Sequence, residues 1–246
     1  MLSLIFILLL SCAKDKNGGQ KDTVTDVDGN TYKTVIIGDQ VWMGENLKAV
    51  HYADGEAIPC VESNKAWDTL SAQQKVYCYY DNNDENENIY GALYTWAAAT
   101  NDQNSPDSPS GIQGVCPDGW HMPSDEEWKQ LEIYLGMTRS EADRTGDRGI
   151  DEGGKLKEIF TAHWESPNLG ATNMSGFTAL PGGIRVRIGE FTGLSNTCGF
   201  WTTTESGNFN AYARRLHSDN ATIHRSMYDK TYGYSVRCVK DSPYVE

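Results

Sequence analysis

The sequence predicts an α+β domain. Two helix-forming stretches occupy the middle of the chain, a run of short strand-like segments follows from Ile184 onward, and an alternating stretch near the N-terminus adds a β-hairpin ahead of both. Counting Gly and leaving out Tyr, roughly 43% of the 246 residues are apolar, close to the globular range of about 45–50%. The seven Trp, 13 Tyr and six Phe are enough for a substantial core. The chain carries 21 Lys or Arg against 34 Asp or Glu, a net charge of −13 with His neutral. Such acidity repels phosphate backbones and anionic headgroups, which excludes nucleic-acid binding and electrostatic attachment to lipid.

The first element is an apolar run, Leu2 to Leu10, ending at Ser11-Cys12. It is too short to cross a bilayer of about 30 Å as a helix, and residues 1–11 read as a signal peptide. Ser11-Cys12 with Leu9 upstream resembles the lipobox of bacterial lipoproteins, which implies an acylated Cys12 as the mature N-terminus. Residues 12–25 are polar and aperiodic, as a flexible tether would be. One domain is expected over 26–241, with 242–246 as a tail. Export also sets the redox context, because disulfides form in oxidising compartments. Cys60, Cys78, Cys116, Cys198 and Cys238 remain after Cys12, without a CxxC or a Cys/His cluster for structural zinc.

Asp26 to Met43 starts on turn residues, alternates through Tyr32, Thr34 and Ile36, and turns at Gly38-Asp39, as a hairpin does. Asp26, Asp28 and Asn30 have the spacing of an EF-hand start, but position twelve is Ile37 where that loop needs glutamate, so the segment reads as a turn. Val76 to Tyr80 reads as a strand. Asp81 to Asn88 reads as a solvated loop and is the place where calcium, if bound, would sit. Tyr90 to Ala99 reads as a helix with Leu93, Trp96 and Ala97 on one face. Asn101 to Gly114 is a loop. A second helix is capped by Ser124, closed by Glu127 in a capping box, lined by Trp128, Leu131 and Leu135, and ended by Gly136. Gly136 to Gly154 reads as a solvated surface insertion. The strand-like segments are then 184–188, 199–204, 211–216, 221–224 and 234–239.

Five blocks are familiar together: Trp42-Met-Gly-Glu-Asn-Leu after Asp28-Gly-Asn, Tyr90-Gly-Ala-Leu-Tyr-Thr-Trp, Cys116-Pro-Asp-Gly-Trp-His-Met-Pro-Ser-Asp-Glu-Glu-Trp, Gly176-Phe-Thr-Ala-Leu-Pro-Gly-Gly and Gly233-Tyr-Ser-Val-Arg-Cys-Val. In this order they resemble the Fibrobacter succinogenes major paralogous domain, a family abundant among exported bacterial proteins. The Trp-helix block and the closing strand are also similar to the C-type-lectin-like fold of formylglycine-generating, sulfatase-modifying proteins. This resemblance implies a lectin-like domain with two main helices, short antiparallel strands and the N-terminal hairpin as an extension. It implies a Cys116–Cys238 bridge, since lectin-like folds join a cysteine ahead of the main helix to one on the last strand. The family's second cysteine before the Tyr-Gly block is replaced here by Ile89, so Cys60 pairs with Cys78 in this reading and Cys198 is left as a thiol.

No Gly-x-Ser-x-Gly elbow, phosphate-cradling glycine loop or His-Glu-x-x-His motif occurs. Glu205 to Tyr232 is rich in recognition residues, namely Asn208, Asn210, Tyr212, Arg214, His224, Arg225, Tyr228 and Tyr232, which supply contact area and adaptable hydrogen bonds. His217 and His224 flank a turn and face each other across it in this reading. Planar rings beside polar groups suit sugars, whose CH faces stack while their hydroxyls find partners. The expectation is a non-catalytic module for an extracellular glycan or protein, needing no cofactor and touching the outer membrane or cell surface only through its lipid anchor. Two other classes stay open: an enzyme with a convergent site, glycan-active or sulfatase-modifying-like, and a structural surface or assembly protein.

Overall fold

The computed structural model describes residues 23–241. The expected signal peptide, Cys12 and the C-terminal tail lie outside the described residues. Thr23–Thr25, expected in the tether, forms β1 and pairs antiparallel with β2 (Thr31–Ile37), which turns through Gly38-Asp39 into β3 (Gln40–Met43). The Asp26 carboxylate explains the first turn, for it accepts the Asn30 backbone N–H at 2.9 Å, the Asn30 side-chain amide at 3.0 Å and the Tyr32 hydroxyl at 2.5 Å. The expected alternation along β2 does not hold throughout. Tyr32 and Ile37 are buried while Ile36 is exposed, because the strand feeds one core cluster at its start and another at its end.

Between the hairpin and the main helix the chain is finely divided. A short α1 (Asn64–Trp67) buries Trp67, and β4 (Tyr77–Cys78) pairs with β5 (Leu93–Tyr94). The helix expected over 90–99 is broken. A first helix, α2 (Glu85–Tyr90), stops at Gly91, whose φ of 74° brings its backbone against Leu47, so that a Cβ there would lie 2.7 Å from the Leu47 carbonyl. Thr95 then caps a second helix, α3 (Trp96–Thr100), by accepting the Ala98 N–H. The 81–88 run is also partly ordered: its amides turn inward, Asn86 donating to the Tyr80 carbonyl and Asn82 to the Glu62 carbonyl.

The main helix, α4 (Asp125–Tyr134), has the expected capping box, with Ser124 accepting the Glu127 N–H and Glu127 accepting the Ser124 N–H. Beyond Gly136, the expected solvated insertion instead forms α5 (Arg139–Ala142), β6 (Gly146–Arg148) and α6 (Glu152–Leu156). Its Arg148 is buried, and β6 is the edge strand of the largest sheet. That sheet adds β7 (Gly182–Arg185), β8 (Phe191–Leu194), β9 (Thr197–Glu205), β10 (Asn210–His217) and β11 (Ile223–Asp229), in the order β6-β11-β10-β9-β7-β8. The last strand, β12 (Val239–Asp241), closes the hairpin sheet in the order β1-β2-β3-β12. Among the described residues this is a mixed helix and sheet architecture in which strand predominates.

The six-stranded sheet divides the core, because alternate residues of a strand face opposite ways. On β9, Phe200 packs with Trp42, Trp128, Phe177 and Leu216 under α4, while Trp201 packs with Tyr94, Trp96, Tyr234 and Val236 on the other side. Cys116 and Cys238 are joined by a disulfide, tying the segment before α4 to the approach of β12. Cys60 and Cys78 are not joined, contrary to the expected pairing. The strand pleat explains it: the exposed Cys60 bridges through its backbone to Tyr77, while the next side chain, Cys78, points into the interior and is fully buried. Cys198 is a fully buried free thiol.

Candidate functional site

The residues expected to read a ligand lie on β10, β11 and the turns around them, and the pleat of the sheet sorts them into two groups. Arg214 pairs in register with Arg225 and Tyr212 with Met227; Arg215 pairs with His224 and Ala211 with Tyr228. Adjacent residues of one strand point to opposite faces, so Arg214 and Arg215 cannot serve the same surface.

Arg214 and Arg225 turn inward beneath α4 and are buried, with relative exposures of 0% and 5%. The expectation that they contact a ligand is therefore corrected: their charge is consumed by an internal network. Arg214 reaches Asp125 at 2.6 Å and Glu132 at 2.7 Å, Arg225 grips both oxygens of Asp125 at 2.8 and 2.7 Å, and Arg148 takes Glu132 at 2.6 and 2.8 Å. Burial works against ionisation of Asp125, and the Arg214 and Arg225 guanidiniums overcome it, holding its carboxyl well below the usual carboxylate range. Tyr212 belongs to this side as well, its ring 4.2 Å from the Arg225 guanidinium carbon. Asn208 and Asn210 are exposed at the β9–β10 turn beside the exposed Phe209. The eight residues thus do not form one surface.

The opposite face holds a smaller constellation. Arg215 stacks on Tyr228 with its guanidinium carbon 4.0 Å from the ring centroid, lies 5.1 Å from Tyr234 and 6.0 Å from Tyr232, and donates from Nε to the Tyr234 hydroxyl at 2.7 Å. Tyr228 and Tyr232 have centroids 6.0 Å apart with planes inclined by 35°. His224 extends the row beside Tyr228, and His217 meets His224 edge to face at 6.4 Å, as expected from their places around the turn. All except Tyr234 are half-buried, so rings and polar atoms stay accessible. His224 Nδ1 lies 2.9 Å from Asp147, and since a carboxylate only accepts, the ring donates from Nδ1 and leaves Nε2 for other partners. Among the described residues Arg215 contacts no carboxylate.

Arg215 and the supporting Tyr234 are absent from the sequence-derived set. Strand periodicity identifies 214 and 215 as opposite-facing, but only the position of α4 decides which of them is buried. Burial, reinforced by the Arg215 charge, lowers the His217 imidazole below its ordinary 6.5. His217 is therefore neutral at pH 7, and Arg215→Gln is expected to raise its midpoint, as measured by NMR titration of the imidazole. An unchanged or lowered midpoint would separate the two residues.

Among the described residues, no group of three or more His, Cys, Asp or Glu side chains is placed to hold a metal ion, and no helix is long and apolar enough to cross a membrane. Burial pushes the Cys198 thiol up to about 12, which makes it a poor nucleophile.

Three of the blocks quoted from the sequence meet around one side chain, Arg237, and a fourth packs on them through Trp128. Arg237 donates to the Asn46 side-chain oxygen at 2.6 Å and to the carbonyls of Met43, Phe177 and Thr178 at 3.0, 2.6 and 3.0 Å. Trp42 meanwhile packs on Trp128 at 5.0 Å and on Phe177 at 5.9 Å. Segments distant in sequence are thereby tied at one place, which accounts for their occurring as a set. No curated protein and no solved structure matches the chain. The family model described as the Fibrobacter succinogenes major domain matches residues 35–240, and the chain belongs to that family.

Proposed function

We propose that this protein is an exported, lipid-anchored binding module without catalytic activity, which recognises an extracellular glycan or protein through Arg215, His217, His224, Tyr228 and Tyr232. The observation that carries the reading is Arg215, a half-buried cation framed by three tyrosine rings and, among the described residues, without a carboxylate contact, on a chain of net charge −13. Held in this way, the guanidinium is oriented before any ligand arrives, which reduces the entropy lost on binding. The two inclined tyrosine faces offer stacking area, and the imidazole and guanidinium groups offer hydrogen bonds at its rim.

The lectin-like reading of the fold rests on the block before α4, the closing strand and the Cys116–Cys238 bridge between them. Such a scaffold presents variable edges over a rigid core. Export and anchoring rest on the apolar run before Cys12. A glycosidase needs two carboxylates facing a substrate, whereas the buried acids are engaged internally, Asp125 and Glu132 by arginines, Asp26 by Tyr32, Glu127 by Ser124 and His121, and Glu152 by the Ile150 N–H, which favours recognition over hydrolysis.

A glycan and protein binding screen comparing the wild type with Tyr228→Ala/Tyr232→Ala tests the proposal. The paired variant is expected to lose at least tenfold in affinity for whatever the wild type retains, since truncating central aromatic anchors commonly costs about 2 kcal/mol or more. Equal retention by both proteins would remove this face as the site. Turnover of any retained glycan would refute the non-catalytic assignment.

A further inference from the structure

A cleft of about 130 Å³ opens beside Arg237, walled by residues 44–48, the C-terminal end of α2 and residues 178–180. We propose that it binds a small organic carboxylate, with the oxyanion held between Arg237 and Lys48 and the carbon skeleton lying against Ile89 and Leu180. The site is separate from the Tyr228–Tyr232 face, and neither proposal depends on the other.

Arg237 is 1% exposed and contacts no carboxylate among the described residues. Its Nε donates to Asn46 and its Nη1 to two carbonyls, while Nη2 donates only to Thr178, leaving one of the five guanidinium N–H groups without an acceptor. A buried donor left unmatched costs free energy, and a buried cation costs more unless an anion answers it. Burial lowers Arg237 to about 9, which still leaves it charged at neutral pH. The second cation of the wall, Lys48, is half-buried and has neither an ion pair nor a hydrogen bond from its ammonium group among the described residues.

The two acids of the wall are turned to other partners. Glu45 accepts the Lys33 backbone N–H at 3.0 Å, and Glu158 takes the His163 imidazole at 2.9 and 3.0 Å. The wall thus carries two cations and two acids, and because the acids are held to other partners, the spare Arg237 N–H and the Lys48 ammonium are the donors left for a ligand. Ile89 is 45% exposed at the rim and Leu180 is half-buried. An apolar rim beside two cationic donors suits an organic acid better than a fully hydrated inorganic anion. At about 30 Å³ for each water, the cleft has room for several, which a short-chain acid would displace.

Titration calorimetry of the full chain at neutral pH with sodium butyrate, n-butanol and inorganic phosphate provides the test. Butyrate is expected to bind saturably, butanol not to bind, and phosphate to bind about tenfold more weakly than butyrate. Arg237 also ties three segments together, so its substitution reports on folding; Lys48→Glu and Ile89→Asn carry the test, with thermal midpoints as the folding control. Lys48→Glu is expected to weaken butyrate about tenfold or more, and Ile89→Asn to weaken butyrate while leaving phosphate unchanged. Lack of saturable butyrate binding below about 50 mM, equal affinity in Lys48→Glu, or phosphate binding as tightly as butyrate would each overturn the proposal.

Discussion

Glu132→Gln is expected to cost the domain about 3–5 kcal/mol, among the largest effects of any isosteric change, because it removes one anion from a buried cluster that is already rich in cations. Glu132 is 0% exposed, and its two oxygens together receive two bonds from Arg148 and one from Arg214. Three buried arginines share Asp125 and Glu132. After the substitution the same three cations face one carboxylate, and Arg148, whose Nε has no partner among the described residues, loses its one ion pair there. In a domain of this size about 2–4 °C of thermal midpoint is lost per kcal/mol, so calorimetry should register a fall of roughly 10 °C. Arg214→Met should cost less, since it brings the buried charges to parity. Arg139 contacts Glu126 on the surface and is 55% exposed; Arg139→Ala there should cost no more than about 1 kcal/mol.

The same cluster sets an acid limit. The folded state holds Asp125 well below its ordinary value of 3.8. Its contribution is therefore complete above that value and is lost as pH falls below it toward the folded midpoint. Stability of the wild type should decline in that window, and Asp125→Asn should flatten the decline while lowering stability at pH 7. A wild type and a Glu132→Gln variant with the same midpoint would show that the cluster is energetically neutral.

Removing the Cys116–Cys238 bridge is expected to have an effect of the same order. The bonded residues are separated by 122 positions, and under the chain-entropy account a closure of that length contributes about 4–5 kcal/mol by restricting the unfolded ensemble. Cys116→Ala/Cys238→Ala should lower the urea midpoint and raise the slope, because the unfolded chain freed of the cross-link exposes more surface while the packed core keeps its other contacts. Equal midpoints for the oxidised wild type and the double variant would mean that the unfolded chain gains nothing from being cut free. The three remaining described thiols cannot substitute, since Cys78 and Cys198 are buried and burial pushes each up to about 12.

Local features were legible in the sequence where the physics is local. The Ser124–Glu127 capping box, the Gly38-Asp39 turn and the Trp128 and Leu131 stripe depend on neighbours a few residues away, and each is found as read. The helix expected over 90–99 failed because apolar periodicity cannot register that Leu47 presses on Gly91 from another segment. The charged stretch after Gly136 looked solvated for a similar reason: Arg148 is buried only because Glu132, on a separate helix, meets it there.

The family and its mixed architecture were determined by the sequence alone, through ordered blocks whose residues pack on one another across the fold. Which residues can meet a ligand was decided only by the tertiary structure. Period-two alternation separates Arg214 from Arg215 and Tyr212 from Tyr228, but it is symmetric, and either face of a strand can be the inner one. The acids of α4 break that symmetry by drawing Arg214 and Arg225 inward, and the opposite face, covered along Ala211 and Ala213 by the second core cluster, leaves Arg215, His224, Tyr228 and Tyr232 half-exposed at its edge.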